Sequence, residues 1–231
     1  MRSAIALAAT ALLSAAAGAQ TGHDVSAWLM DEGYELALAR SAAPEAVTTE
    51  ASYYVLREGG YEQVSEGTNG FACLVQRSFG APFEGSPATF SNPDVIAPVC
   101  FNAEGTRTVM REHFLRAELF MAGENRDAIE AAVVAAVASG DIPLPAPFAI
   151  SYMMSDAMYL GPGLGGFHVH LMLYAPYIEN ADFGGHALFG HDPYVFEGAG
   201  GVFALATIAL PHDRILPDHP GYTPRAQPGR H

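Results

Sequence analysis

Apolar and polar positions alternate most cleanly from Phe167 to Tyr177, and that stretch predicts a central strand. Phe167, Val169, Leu171 and Leu173 are apolar, while His168, His170, Met172 and Tyr174 carry heteroatoms. Side chains two apart on a strand share a face. The odd set is therefore expected to pack in the core, and the even set to face a glycine-fringed pocket or solvent. Shorter strand-like runs fall at 52–57, 61–65, 71–77, 95–101, 148–154 and 202–210. Glu58-Gly59-Gly60 joins the first two as a hairpin, and Asn69-Gly70 supplies a turn suited to positive φ.

The period becomes helical at 24–40, 107–121 and 126–139. Asp24 or Ser26 is a cap for the first run, in which Trp28, Leu29, Glu32, Leu36 and Ala39 fall near helical spacing. Asn125 caps the third, and Gly140 stops it. Ile129, Val133, Val134 and Val137 form one face of that third run, expected to pack on a sheet. The runs do not alternate strand and helix as a doubly wound parallel sheet requires. The expected class is therefore α+β, a mostly antiparallel sheet of about five to seven strands with two or three helices packed on one face.

The first residues change the picture of where this fold works. Arg2, an uncharged run from Ser3 to Ala17 and the small residues Ala17-Gly18-Ala19 have the three parts of a secretory signal peptide, residues 1–19. The apolar run is short for a membrane anchor, and no later stretch resembles a span. Export to a bacterial periplasm or the extracellular space is the expectation. Removal of the leader leaves about 212 residues, enough for a single α+β domain over 20–210. Residues 211–231 hold five prolines and read as an extended or disordered tail.

Without the leader the chain carries 10 Arg, no Lys and 25 acidic residues, a formal charge of −15. Phosphate binding needs clustered cations, so nucleic acid is excluded as a partner. The acidity itself fits a soluble exported protein without further function. Cys73 and Cys100 are the only cysteines. An even count in an oxidising compartment favours a disulfide between them, and they lack the CxxC spacing of a redox or metal pair. Gly161-Pro162-Gly163-Leu164-Gly165-Gly166 formally satisfies G-x-G-x-x-G. A dinucleotide site needs a helix opening there, whereas a proline interrupts this run and a strand follows.

Several stretches together resemble a set of exported bacterial proteins that share an EGTNGF/WxC … C … AYM … PHLM pattern. They are Leu38 to Pro44, Glu66-Gly67-Thr68-Asn69-Gly70-Phe71-Ala72-Cys73, Pro98-Val99-Cys100, Ile150 to Met154 and His170-Leu171-Met172. The resemblance runs from about Leu36 to Pro211. It implies export and the Cys73–Cys100 pairing, and it draws attention to His170. It implies no cofactor, substrate or catalytic residue. Val169 stands where the pattern has proline, and His168 lies outside the pattern.

Three kinds of chemistry fit these residues. The first is a metal ion, zinc or copper, held by His168 and His170 on one strand face with His186 and His191 from the Gly/His-rich segment that follows. Met172 would add a thioether, which suits copper better than zinc. Asp182 and Asp192 are further donors nearby in sequence. The second is an envelope hydrolase, metal-dependent or built on a trio such as Ser151 or Ser155 with His170 and Asp182, although no G-x-S-x-G elbow is present. The third needs no reaction: a small-molecule pocket lined by His170, Met172, Tyr174 and Tyr152. The leading expectation is a binding domain for a small ligand or metal ion around His170. Nothing in the sequence sets the oligomeric state.

Overall fold

The computed structural model describes residues 24–80, 87–161, 168–184, 193–195 and 200–211. The expected signal peptide, the tail beyond Pro211, His186 and His191 lie outside these residues. The strands are β1 (Ser52–Arg57), β2 (Gly60–Ser65), β3 (Ala72–Arg77), β4 (Ile96–Phe101), β5 (Ile150–Met153), β6 (His170–Tyr174), β7 (Tyr194–Val195) and β8 (Leu205–Ala209). The helices are α1 (Glu32–Arg40), α2 (Glu45–Thr48), α3 (Pro87–Phe90), α4 (Ala103–Arg107), α5 (Val109–Met121) and α6 (Arg126–Ser139). All eight strands form one sheet in the order β2-β1-β3-β4-β5-β6-β8-β7. Every pairing is antiparallel except β1 with β3. The fold is α+β with a mostly antiparallel sheet, as the sequence patterns require.

Local chemistry explains most element ends. Asn125 Oδ1 accepts from the Ala128 amide at 3.1 Å to start α6, and Gly140 ends it at φ 85°. The first helical run differs from expectation. Ser26–Trp28 is a single 3-10 turn, Leu29 is extended, and Asp31 caps α1 by accepting from the Tyr34 amide at 3.0 Å. The break lets Trp28 turn inward onto Phe120, 5.0 Å between ring centroids. The second run, expected over 107–121, is α5, and a separate short helix α4 precedes it with Thr108 between the two.

α1 packs on β1, β3 and β4, burying Leu38, Ala39 and Ala42 against Tyr53, Val75 and Cys100. α5 lies on the opposite face, where Val109 and Met110 meet Leu74, Val99 and Phe101. Strands β3 and β4 are thus covered on both sides and buried along their whole length, and Ile96–Phe101 reads as a continuous apolar run. α6 packs on α5 through Ile129, Val133 and an Arg116–Glu130 ion pair at 2.8 Å. Val134 of the expected sheet-facing set is 68 % exposed, because α6 is an outer helix.

Cys73 and Cys100 are direct partners in the β3–β4 register and form the expected disulfide, Cα atoms 4.0 Å apart. It closes a loop with a sequence separation of 27. Chain entropy assigns such a crosslink about 3 kcal/mol. Replacing both cysteines by alanine should lower the urea unfolding free energy by about that amount, with the native far-UV circular dichroism retained. A loss below about 1 kcal/mol would contradict this.

The β2–β3 connection carries the Glu66-Gly67-Thr68-Asn69-Gly70 motif. It makes a crossover past the start of β1, and no hairpin forms there. The amides of Thr68 and Asn69 donate to the Glu50 carbonyl at 2.8 and 3.3 Å, and Gly67 N donates to Ser52 Oγ at 2.9 Å. Asn69 Nδ2 donates to the Val47 carbonyl at 2.7 Å. A Cβ on Gly67 would lie 2.3 Å from backbone atoms of Glu50 and Ala51. The motif therefore serves the parallel β1–β3 pairing.

A candidate ligand site on the polar end of the sheet

The register decides which side chains meet. Ser151 pairs with Met172, and Met153 with His170. In β8, Thr207 pairs with both Met172 and Tyr194. Alternation then puts Ser151, Met153, His170, Met172, Tyr174, Tyr194 and Thr207 on the α5 face of the sheet. Tyr152, expected in the same pocket, is partnered by Leu171 and lies on the other face, its ring 6.3 Å from that of Phe71. The two faces of β6 are also exchanged relative to expectation. His170, Met172 and Tyr174 are buried, while Leu171 and Leu173 are half-buried. The even face joins the larger core with Phe101, Met153 and Leu205. On the odd side, α1 lies over β1, β3 and β4.

Within that core the polar groups form two linked sets. Ser151 Oγ and Tyr174 Oη are 3.2 Å apart, and the Tyr174 hydroxyl donates to Met172 Sδ at 3.9 Å. His170 is 3 % exposed, and its Nδ1–H donates to the His168 carbonyl at 2.7 Å. Burial above all lowers the His170 pKa to about 4, so the ring is neutral at pH 7. With Nδ1 carrying the proton, Nε2 presents a lone pair. The half-buried His168 has its ring centroid 5.7 Å from that of His170, and its Nε2 is 3.3 Å from the Tyr194 hydroxyl. Burial pushes the Tyr194 pKa up, keeping it a neutral donor or acceptor. The arrangement offers hydrogen-bonding groups and one thioether, with His170 and Tyr194 neutral at pH 7.

Two of the four histidines of the sequence-predicted metal set fall among the described residues. His168 and His170 are brought together, and His186 and His191 lie outside the described residues. Among the described residues no group of three or more His, Cys, Asp or Glu is placed to hold a metal ion. The serine trio is not assembled in the described contacts. Ser151 bonds Tyr174, Ser155 Oγ accepts from Ser41 Oγ at 2.6 Å, and the Asp182 carboxylate accepts from the Glu179 amide at 2.9 Å. Tyr194 escaped the sequence reading, because a two-residue strand leaves no periodic signal.

Two surface clefts among the described residues have volumes of about 520 and 430 Å³. The first is lined by Arg40, Tyr53, Glu50 and Glu66, with the Arg40 guanidinium 5.1 Å from the centre of the Tyr53 ring. The second is lined by Leu29, Leu56 and Arg57. Neither is lined by His168, His170 or Tyr194. The His170 cluster has the more specific chemistry, since buried polar groups on an apolar sheet face carry a desolvation cost that solvated cleft residues do not.

A second buried imidazole, His113 of α5, sits 5.3 Å from the Phe101 ring, and its Nδ1 has no hydrogen-bond partner. Burial above all, then the Arg116 charge, lowers its pKa to about 4. A histidine with a folded pKa near 4 binds fewer protons than the unfolded chain below pH 6.5. It therefore loses stability as pH falls from 6.5 towards 4. Buried Glu35 and Glu112, whose pKa values are raised by burial, act in the opposite sense, so the variant isolates the effect. His113→Phe should lose roughly 2 kcal/mol less than the parent between pH 7 and pH 5 in urea unfolding. Parallel pH curves for the two proteins would contradict this.

No family model, no curated protein and no solved structure matches the chain. Among the described residues, no helix is long and apolar enough to cross a membrane.

Proposed function

We propose that this chain is an exported, non-enzymatic binding domain that holds a small uncharged ligand at the His168–His170–Tyr194 end of the sheet. One observation carries the reading: a neutral, buried His170 whose Nδ1 proton is committed to the His168 carbonyl. The neighbouring His168 ring has its Nε2 3.3 Å from the Tyr194 hydroxyl, so the polar groups of this cluster hold fixed directions. Fixed polar groups set in an apolar surround are how a small-molecule site gains orientation and selectivity. An ionised ligand is disfavoured because setting a charge against the neutral, buried His170 and Tyr194 carries a desolvation cost. Export is supported by the form of residues 1–19 and by a disulfide, which persists best in an oxidising compartment.

A metal ion is a second reading, favoured by the 5.7 Å spacing of the two imidazoles and by Met172 on the same face. Donors of this softness suit copper or zinc. One preparation separates the two. The full chain is purified without a histidine tag and examined by native mass spectrometry and elemental analysis. A bound organic mass that is absent from His170→Ala and Tyr194→Phe, with no metal, supports the leading reading. Stoichiometric copper or zinc lost in His170→Ala supports the second. A parent with neither, or bound species retained in both variants, contradicts both readings.

A further inference from the structure

Two turns share a sequence and a backbone state. In Ala146-Pro147-Phe148-Ala149 and Ala175-Pro176-Tyr177-Ile178, the fourth amide donates to the first carbonyl, at 3.0 and 3.3 Å. Phe148 (φ 66°) and Tyr177 (φ 69°) are the only non-glycine residues with positive φ among the described residues. Proline followed by positive φ is the type II turn, whose third position favours glycine. An aromatic residue there costs about 1–2 kcal/mol. Both turns are nonetheless fastened: Asn102 Nδ2 donates to the Phe148 carbonyl at 2.8 Å, and the Tyr177 amide donates to the Gly201 carbonyl at 2.8 Å.

Burial does not offset this strain. Phe148 is 80 % exposed and Tyr177 is 58 % exposed. Phe148 precedes β5 and Tyr177 follows β6, and beyond the Ile150–Leu173 partnership the Tyr174 amide donates to the Ala149 carbonyl at 3.0 Å. The turns are thus neighbours at one end of the sheet, on strands about 5 Å apart. Glycine or asparagine would form either turn with less strain, so the rings have a use outside the fold.

We propose that the Phe148–Tyr177 pair is a docking site for the chain's own C-terminal segment, residues 212–231. Exposed aromatic rings on a rigid frame are the surface that receives proline-bearing strands, and they also stack on arginine. The segment has Pro217, Pro220, Pro224 and Pro228 with Arg214, Arg225 and Arg230. Its three Arg and two Asp give it a formal +1, whereas residues 3–211 hold seven Arg and 23 acids, a formal −16. Exposed Glu179 and Asp182 follow Tyr177 closely in sequence.

The span is sufficient. β8 ends beside His170, at the other end of the sheet from the turns, roughly 25 Å away at ~3.3 Å per strand residue. An extended proline-rich segment of this length covers ~60 Å at ~3.1 Å per residue. The stretch from Pro220 to Pro228 is the part that reaches the rings.

The test uses the full chain with p-benzoylphenylalanine in place of Tyr222, irradiated and mapped by peptide mass spectrometry. The expected crosslinks join residue 222 to peptides holding Phe148 or Tyr177, within a monomer band, and weaken at least threefold in 0.5 M NaCl. In the Phe148→Gly/Tyr177→Gly background they should fall at least tenfold while Tm holds or rises. If that variant fails to fold, the corresponding asparagine pair carries the comparison. Crosslinks elsewhere, none at all, persistence in the double variant, or a dimer band from a second copy's segment would each overturn the proposal. So would a Tm drop of many degrees in both double variants, which would make the rings packing residues.

Discussion

Gly67→Ala should destabilise the protein by about 3–5 kcal/mol, a large share of the ~5–15 kcal/mol stability of a typical domain. The added Cβ would meet the Glu50 carbonyl oxygen and the Ala51 carbonyl carbon at 2.3 Å, and both are backbone atoms pinned between α2 and β1. Relief requires moving the crossover away from residues 50–52. That breaks the bonds from Thr68 N and Asn69 N to Glu50 O and from Gly67 N to Ser52 Oγ. Each lost bond is worth about 1 kcal/mol, and the overlap adds at least as much. Equilibrium unfolding in urea measures the sum. A loss below about 1 kcal/mol would mean that the crossover does not hold the parallel β1–β3 pair.

Arg77→Met should cost about 3–5 kcal/mol by leaving a carboxylate buried without its partner. Arg77 and Glu35 have side chains 0 % and 1 % exposed, with Nη2 and Oε1 3.0 Å apart. The guanidinium also donates to the Trp28 carbonyl at 3.1 Å and the Val75 carbonyl at 2.6 Å, so it ties α1 and the 3-10 turn to β3. The pair is imperfect: Glu35 Oε2 has no hydrogen-bond partner, and burial outweighs the Arg77 attraction in raising the Glu35 pKa. Replacing both partners, Arg77→Met with Glu35→Leu, should therefore recover most of the single-variant loss. A double-mutant cycle that is additive within about 0.5 kcal/mol would show that the two groups do not interact.

Much of the fold was legible because local signals agree with the packing. The Gly59-Gly60 hairpin, the Asn125 and Gly140 ends of α6, and the Cys73–Cys100 pair each follow from a feature confined to a few residues. The parallel β1–β3 pairing was hidden because Asn69-Gly70 looks like a hairpin turn, while the tight approach that enforces the crossover is at Gly67. The faces of β6 were exchanged because Met, Tyr and neutral His are as much at home in a core as Leu when their polar atoms are bonded. The side of the sheet on which the larger core forms then decides the matter, and no single strand records that side.

The candidate site was legible in part for the same reason. His168, His170, Met172 and Tyr174 were visible as one alternating set. Tyr152 was drawn in by its even number, yet the antiparallel register opposes it to Leu171 and turns it away. Ser151 and Tyr194 join only through long-range pairing. The Ala-Pro-aromatic sequence occurs twice in plain sight, and only the backbone dihedrals reveal its strain.

The proposed site depends on His170 being a buried, neutral imidazole whose Nδ1 proton is held by the His168 carbonyl. Long-range proton–nitrogen NMR of the histidine rings tests it most directly. His170 is expected to be neutral at pH 7 with the proton on Nδ1, and its ring to begin titrating only below pH 5, with a pKa of about 4. A proton on Nε2, or an imidazolium at pH 6, would contradict it.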